Sequence, residues 1–152
     1  MQERAYIFGS VFTLSNKLQS LGDKFDSNLT VKQWLLLAGI FKNGDMAPTI
    51  TDVAELIGSS RQNVKKMVLI LEKQGFIALN KDQNDARALR ISLTKKCIHH
   101  LRLREENEAI FLEKLFNGFS SDELKSLARG MSKLGDNIIE MEMQYADENN
   151  TH

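Results

Sequence analysis

Two short amphipathic segments joined by Gly58-Ser59-Ser60 constrain the fold of this chain more than any other feature. Thr49, followed three residues later by Asp52, predicts the start of a short helix that ends at Gly58. A second helix is expected to begin at Ser59 or Ser60 and to reach Gln74. Two helices joined by a turn of about three to four residues that contains glycine form a helix-turn-helix.

Two runs typical of β-strands follow the second helix. They cover residues 76–81 and 89–93, and the polar segment 82–88 between them is rich in turn-forming residues. This pattern predicts a hairpin with a long loop. The helix-turn-helix is therefore expected to carry a wing.

Apolar residues at helical spacing predict four further helices on either side of this unit. They run from Glu3 to Leu21, from Thr30 to Phe41, from Thr94 to about Phe116 and from Ser120 to about Tyr145, and the polar tail 147–152 is expected to fray. The helix from Thr30 is apolar nearly all round, so we expect it to be central and buried. The fold class is mainly α with a small β-hairpin wing: a winged helix-turn-helix plus a helical dimerisation region.

Positive charge is concentrated in the helix-turn-helix and the hairpin. Residues 59–96 contain nine basic and three acidic residues, a net charge of +6, whereas the whole chain has 20 of each and no net charge. A concentrated basic module is what the neutralisation of DNA phosphates requires. Double-stranded DNA is therefore the expected partner.

The second helix of the motif is expected to present its polar face to the bases. Its apolar face centres on Val64, so Gln62 and Lys66 point away from the core. Arg, Gln and Asn can contact guanine or adenine edges in pairs of hydrogen bonds, and Lys suits phosphates. The predicted recognition residues are Ser59, Ser60, Arg61, Gln62, Asn63, Lys65 and Lys66. Lys and Gln also occur on the solvent face of helices that bind nothing. The glycine-containing turn before this helix and the hairpin after it favour the DNA-binding interpretation.

The chain is expected to divide into three functional parts. These are an N-terminal dimerisation helix (1–28), a winged helix-turn-helix DNA-binding domain (29–96) and C-terminal dimerisation helices (97–152). The first and the last two helices carry apolar stripes that have no evident second core, which favours a homodimer that buries them between subunits. A monomer with a compact helical cap is the alternative.

Residues 49–97 resemble the winged helix-turn-helix of the MarR family of bacterial transcription regulators. The resemblance rests on Thr49 with Val53-Ala54 and Ile57-Gly58, and on the run 71–77. Its most specific part is Asp85-Ala86-Arg87 followed by Leu93-Thr94, because the wing signature of the family is Asp-x-Arg with Leu-Thr six residues further on. Cys97 departs from the family, which commonly has a small residue such as glycine at this point.

The resemblance implies roles for the wing and for the whole protein. Arg87 would reach into a minor groove, Asp85 would orient it through an ion pair, and Lys81 and Arg90 would touch phosphates. The protein would be a transcription regulator, a repressor in our interpretation, that binds a pseudo-palindromic site as a homodimer. Some members are released by a small-molecule effector, often an aromatic or amphipathic acid. Several aromatic residues could line a cleft for such an effector, but we expect them in the ordinary core instead. They are Phe8, Phe12, Phe25, Trp34 and Phe41.

Enzymatic and metal-dependent functions lack support in the sequence. There is no Walker loop or glycine-rich nucleotide motif, so we expect neither an enzyme nor a cofactor. His99 and His100 are adjacent and project in different directions from a helix, and a single cysteine cannot build a cysteine-rich zinc site, so no metal is expected. Cys97 could sense redox state if its pKa were low and the thiol accessible, but a packing role is favoured.

The sequence also bears on compartment and on competing functions. The first residues lack the pattern of a secretory signal, and the longest apolar stretch, Trp34 to Phe41, is too short to span a bilayer. A cytoplasmic protein without membrane contact is expected. Two alternatives stay open: a regulator with no small-molecule ligand, and a helix-turn-helix that serves protein interaction.

Overall fold

The computed structural model describes residues 1–42, 47–82 and 88–149. In these ranges it contains six helices and two strands: α1 (Gln2–Gly22), α2 (Val31–Lys42), α3 (Ile50–Leu56), α4 (Arg61–Lys73), β1 (Ile77–Lys81), β2 (Leu89–Leu93), α5 (Lys95–Leu115) and α6 (Ser121–Asn149). This order confirms the predicted mainly α fold with a β-hairpin wing. Two compact units divide the chain at Leu103 and Arg104, within α5. The functional division at 28/29 and 96/97 stays a prediction.

Side-chain caps fix where the helices of the motif begin. At α3 the Asp52 N–H donates to Thr49 Oγ1 (3.2 Å) and the Thr49 N–H donates to the Asp52 carboxylate (2.8 Å). At α4 the Asn63 N–H donates to Ser60 Oγ (3.2 Å), so Ser60 rather than Ser59 is the cap. Each cap satisfies an N–H that has no partner within its helix.

Two glycines end the helices of the motif. Gly58 and Gly75 have φ of +61° and +76°, a conformation that costs a glycine little and other residues more. After Gly58 the Ser59 N–H donates to the Ala54 carbonyl (2.9 Å), and this bond closes α3. The turn between α3 and α4 therefore has the short, glycine-dependent form that the sequence predicted.

The core of the first unit lies where α2, α3, α4 and the hairpin meet. Its fully buried side chains are Leu36, Leu37, Val53, Val64, Val68, Leu71, Ile91 and Cys97. The helix α2, expected to be central and buried, buries Gln33, Leu36, Leu37 and Ile40 but exposes Leu35 and Phe41 by 43% and 67%. Its contacts include α1, α3, α4 and β2. None of the residues of α1 is buried.

The hairpin is tied back to the start of α3. Its strands are antiparallel, with Ile77 opposite Leu93 and Lys81 opposite Leu89. The Ile91 N–H donates to the Pro48 carbonyl (2.9 Å), and Thr49 forms an antiparallel bridge with Arg90. These contacts fix the wing relative to the helix-turn-helix, and they join residues too far apart in the sequence for a local pattern to indicate them.

Candidate nucleic-acid interface

α4 has two chemically distinct faces. Val64, Val68 and Leu71 are fully buried against the core. Six of the seven predicted recognition residues are exposed, and Ser59 is half-buried. The exposed residues are Ser60, Arg61, Gln62, Asn63, Lys65 and Lys66. The helix itself carries four basic residues and one acidic residue, Glu72. This face therefore offers hydrogen-bonding groups and positive charge to a polyanion, as base and phosphate contacts require.

The wing residues fall into two groups. Lys81 is exposed at the end of β1, whereas Asp85 and Arg87 lie outside the described residues. Arg90 forms an ion pair with Asp82 and donates from Nη1 to the Ala47 carbonyl (2.9 Å). The contact of Arg90 with a DNA phosphate stays a prediction, and the contacts within the chain favour a positioning role for this side chain.

Asp52 links the cap of α3 to the electrostatics of the wing. Hydrogen bonds from the Thr49 backbone and side chain lower the pKa of Asp52, and the positive charge of Arg90 lowers it further. The carboxylate form is therefore the one that the fold stabilises. The N-terminus of α3 and β2 of the hairpin are thus held together by backbone pairing and by charge.

Cys97 does not have the properties of a redox sensor. Its side chain is fully buried, and burial raises the pKa of the thiol to about 11. The thiolate is the reactive form, so a raised pKa and the absence of solvent contact both suppress reactivity. The packing role favoured by the sequence agrees with this environment.

No group of three or more His, Cys, Asp or Glu side chains is arranged to hold a metal ion in the parts of the chain that the structure describes. His100 Nε2 lies 2.8 Å from Asp26 Oδ2, while His99 is exposed. The two histidines thus occupy different environments, as their adjacent positions on α5 imply. Across residues 1–42, 47–82 and 88–149, no helix has the length and apolar character needed to cross a membrane.

An open surface groove lies between the end of α4 and the start of α5. Its side chains include Lys73, Gln74, Phe76, Lys96, His99 and His100. Lys96 Nζ donates to the Gln74 carbonyl (2.6 Å) and lies 5.2 Å from the centroid of the Phe76 ring. The groove therefore combines an aromatic ring with basic side chains.

Comparison with known proteins agrees with this geometry. A family model described as the MarR family matches residues 29–89, which include α2 to α4, β1 and the start of β2. Residues 29–89 are therefore similar to the MarR family. MarR family proteins are regulators of transcription rather than enzymes, so this match supports a DNA-binding regulator.

Solved structures of MarR family proteins share the fold at low sequence identity. A MarR protein from Peptoclostridium difficile is 22% identical, with a TM-score of 0.77 over 87% of this chain and 86% of that one. Staphylococcus aureus MepR, solved as a DNA complex, is 18% identical, with a TM-score of 0.73 over 89% of this chain and 97% of that one. Bordetella bronchiseptica BpsR is a protein whose DNA binding is regulated by 6-hydroxynicotinic acid. It is 18% identical, with a TM-score of 0.72 over 84% of this chain and 98% of that one.

Proposed function

We propose that this protein is a MarR family regulator, a homodimer that binds a pseudo-palindromic site in double-stranded DNA and represses transcription there. The exposed basic and amide face of α4, opposite a fully buried apolar face, is the observation that carries the proposal. This division suits a helix that lies in the major groove with its other side in the core. MepR, which has a similar fold and was solved as a complex with DNA, supports DNA as the partner.

The first turns of α4 supply the contacts that distinguish bases. Arg61, Gln62 and Asn63 have the side chains that can contact guanine or adenine edges in pairs of hydrogen bonds, and all three are exposed. Lys65 and Lys66 follow, with charges suited to phosphates. Ser60 contributes chiefly by capping, because its hydroxyl oxygen already accepts the Asn63 N–H.

The wing supplies the second set of contacts. Arg87 is proposed to enter a minor groove with Asp85 as its ion-pair partner, and Lys81 to contact a phosphate. Arg90 and Asp82 form an ion pair where the two strands meet the loop, which holds together the strand ends that carry it. Correct placement of the wing thus depends on contacts made within the chain.

Apolar side chains on the surface support the dimer. Within the first unit, α1 exposes Ile7, Phe8, Val11, Phe12, Leu14, Leu18 and Leu21. Within the second unit, α6 exposes Leu127, Met131, Ile138, Ile139, Met141 and Met143. Exposed apolar sets of this size mark interaction surfaces, and a two-fold dimer would place two copies of α4 on half-sites about 34 Å apart.

Repression and release by a small acid complete the proposal. A dimer that occupies an operator beside a promoter excludes the polymerase, and a ligand that binds the DNA-free form better shifts the population away from DNA. BpsR supports an acid as effector, and the groove around Phe76, Lys96 and His99 offers it an aromatic ring and positive charge. Such a regulator acts where bacterial DNA is, in the cytoplasm.

Selection from a random duplex library tests the proposal most completely. The expected result is an enriched site with two inverted half-sites, centred about 10 base pairs apart. Gln62→Ala should change the preferred bases, whereas Gln19→Ala on α1, a matched change away from α4, should not. Recovery of no site, together with specific capture of a protein ligand, would favour a helix-turn-helix that serves protein interaction.

A further inference from the structure

The exposed face of α4 contains two apolar side chains beyond its predicted recognition residues. Leu69 and Ile70 are exposed by 52% and 49%, although they belong to a helix whose other exposed residues are polar or charged. Residues 62, 66, 69 and 73 are spaced by four, three and four positions, which places Leu69 on the same stripe as Gln62, Lys66 and Lys73. Leu69 therefore lies on the face opposite the core residues, with a lysine one turn before and one turn after it.

The inference that follows rests on the proposed binding of α4 in the major groove. Lys66 and Lys73 have long side chains that reach phosphates, whereas the short side chain of Leu69 reaches only what lies directly beneath the helix. The apolar group that the major groove presents to such a side chain is the C5-methyl of thymine. Leu69 has no hydrogen-bonding group with which to read any other base edge.

We propose that Leu69 is a specificity-determining residue that contacts the methyl group of one thymine in each half-site. The contact removes apolar surface of both groups from water, and it favours thymine over cytosine at that position because cytosine lacks the methyl group. It also requires α4 to lie along the groove over its first three turns rather than enter only by its N-terminus. Ile70, on the neighbouring stripe with Asn63 and Lys66, lies beside this contact and is not its centre.

Replacement of thymine by deoxyuridine tests this inference, since it removes the methyl group and leaves base pairing intact. The duplex is first selected with the wild-type protein, and each thymine is then replaced in turn in both half-sites. Dissociation constants are measured by fluorescence anisotropy at one salt concentration for the wild type, Leu69→Ala and Leu56→Ala. Leu56 is the matched control, because it is a leucine of α3 exposed by 58%.

The expected result is one thymine per half-site whose methyl group contributes about fourfold to wild-type affinity, or about 15-fold for both half-sites. Leu69→Ala should bind the thymine and uracil duplexes equally, whereas Leu56→Ala should keep the wild-type difference. A selected site that lacks thymine, or a methyl effect that Leu69→Ala retains, overturns the inference and leaves DNA binding by α4 intact. If the wild type selects no duplex at all, the proposed function and this inference both fail.

Discussion

Arg90 in β2 forms an ion pair with Asp82, the residue after β1, and donates from Nη1 to the Ala47 carbonyl (2.9 Å). One side chain therefore joins both strands, at the loop end of the hairpin, to the segment that precedes α3. The partner carboxylate is nearly buried, with 8% of the Asp82 side chain exposed, so solvent screens this pair less than a surface pair. The direction of the wing and the position of the helix-turn-helix depend on the same contacts.

Loss of the Arg90–Asp82 pair should lower stability. In a double-mutant cycle of Arg90→Met and Asp82→Ala, we expect a coupling free energy of about 1 kcal/mol, because each single change leaves a polar partner without its counterpart. Denaturant unfolding followed by circular dichroism measures it. Lys81→Met, an exposed neighbour, should change the free energy of unfolding by less than about 0.5 kcal/mol. A coupling energy near zero would show that the pair does not stabilise the hairpin.

The hydrogen bonds that cap α3 should add a small amount to the free energy of unfolding, and acid should remove part of it. Thr49→Ala is expected to lower the free energy of unfolding by about 1 kcal/mol. Since the folded pKa of Asp52 is lowered, its contribution is complete above the ordinary pKa of 3.8 and is lost as pH falls through the folded value. Urea unfolding of Asp52→Asn between pH 7 and pH 3 should lack this loss, and Glu55→Gln on the same helix should retain it. Equal acid sensitivity in both variants would contradict the assignment.

Burial of Cys97 should make stability fall in alkaline solution. The unfolded thiol ionises near its ordinary pKa of 9.0, whereas the folded thiol has a pKa of about 11, so the unfolded state loses its proton first as pH rises. The contribution of this group is complete below pH 9 and declines by about 2 kcal/mol towards pH 11. Cys97→Ala should lack this decline when both proteins are unfolded in urea at several pH values. Rapid reaction of the native thiol with a thiol reagent at pH 8 would contradict burial.

Charge placed in the apolar stripe of α1 should prevent dimerisation. Leu14→Glu introduces a carboxylate where a partner surface is proposed, and burial of an unpaired charge costs several kcal/mol. Light scattering at micromolar concentration should give the mass of a dimer for the wild type and of a single chain for the variant. Asn16→Glu adds the same charge to the polar side of α1 and should remain dimeric. A dimeric Leu14→Glu would place the interface elsewhere.

The parts of the fold that sequence predicted are those that depend on neighbours in the chain. Helices begin next to Thr30, Thr49 and Ser120 as predicted, and each of these residues exchanges hydrogen bonds with the residue three positions later: Gln33, Asp52 and Glu123. The left-handed glycines and the exposed face of α4 follow from local rules in the same way. Such features need no knowledge of which elements later pack together.

The errors and omissions concern contacts between distant parts of the chain. Phe8, Phe12 and Phe41 were expected in the core but are 58% to 69% exposed, because an apolar pattern does not show which of its faces another element will cover. Arg90 reaches Ala47, 43 positions earlier, and no short-range pattern signals that contact. Leu69 and Ile70 carry no polar group, so the pattern of charged and amide side chains that indicates a DNA-binding face does not include them.

Salt dependence of duplex binding tests the central claim most directly. Fluorescence anisotropy with the selected duplex is repeated at several salt concentrations. The logarithm of the binding constant falls linearly with the logarithm of the salt concentration, with a slope of about −0.9 for each phosphate that the protein neutralises. Lys66→Gln should make this slope shallower by about two per dimer, whereas Lys133→Gln on α6 should leave it unchanged. If Lys66→Gln has the slope of Lys133→Gln, or if random duplex binds as tightly as the selected one, α4 does not read DNA as proposed.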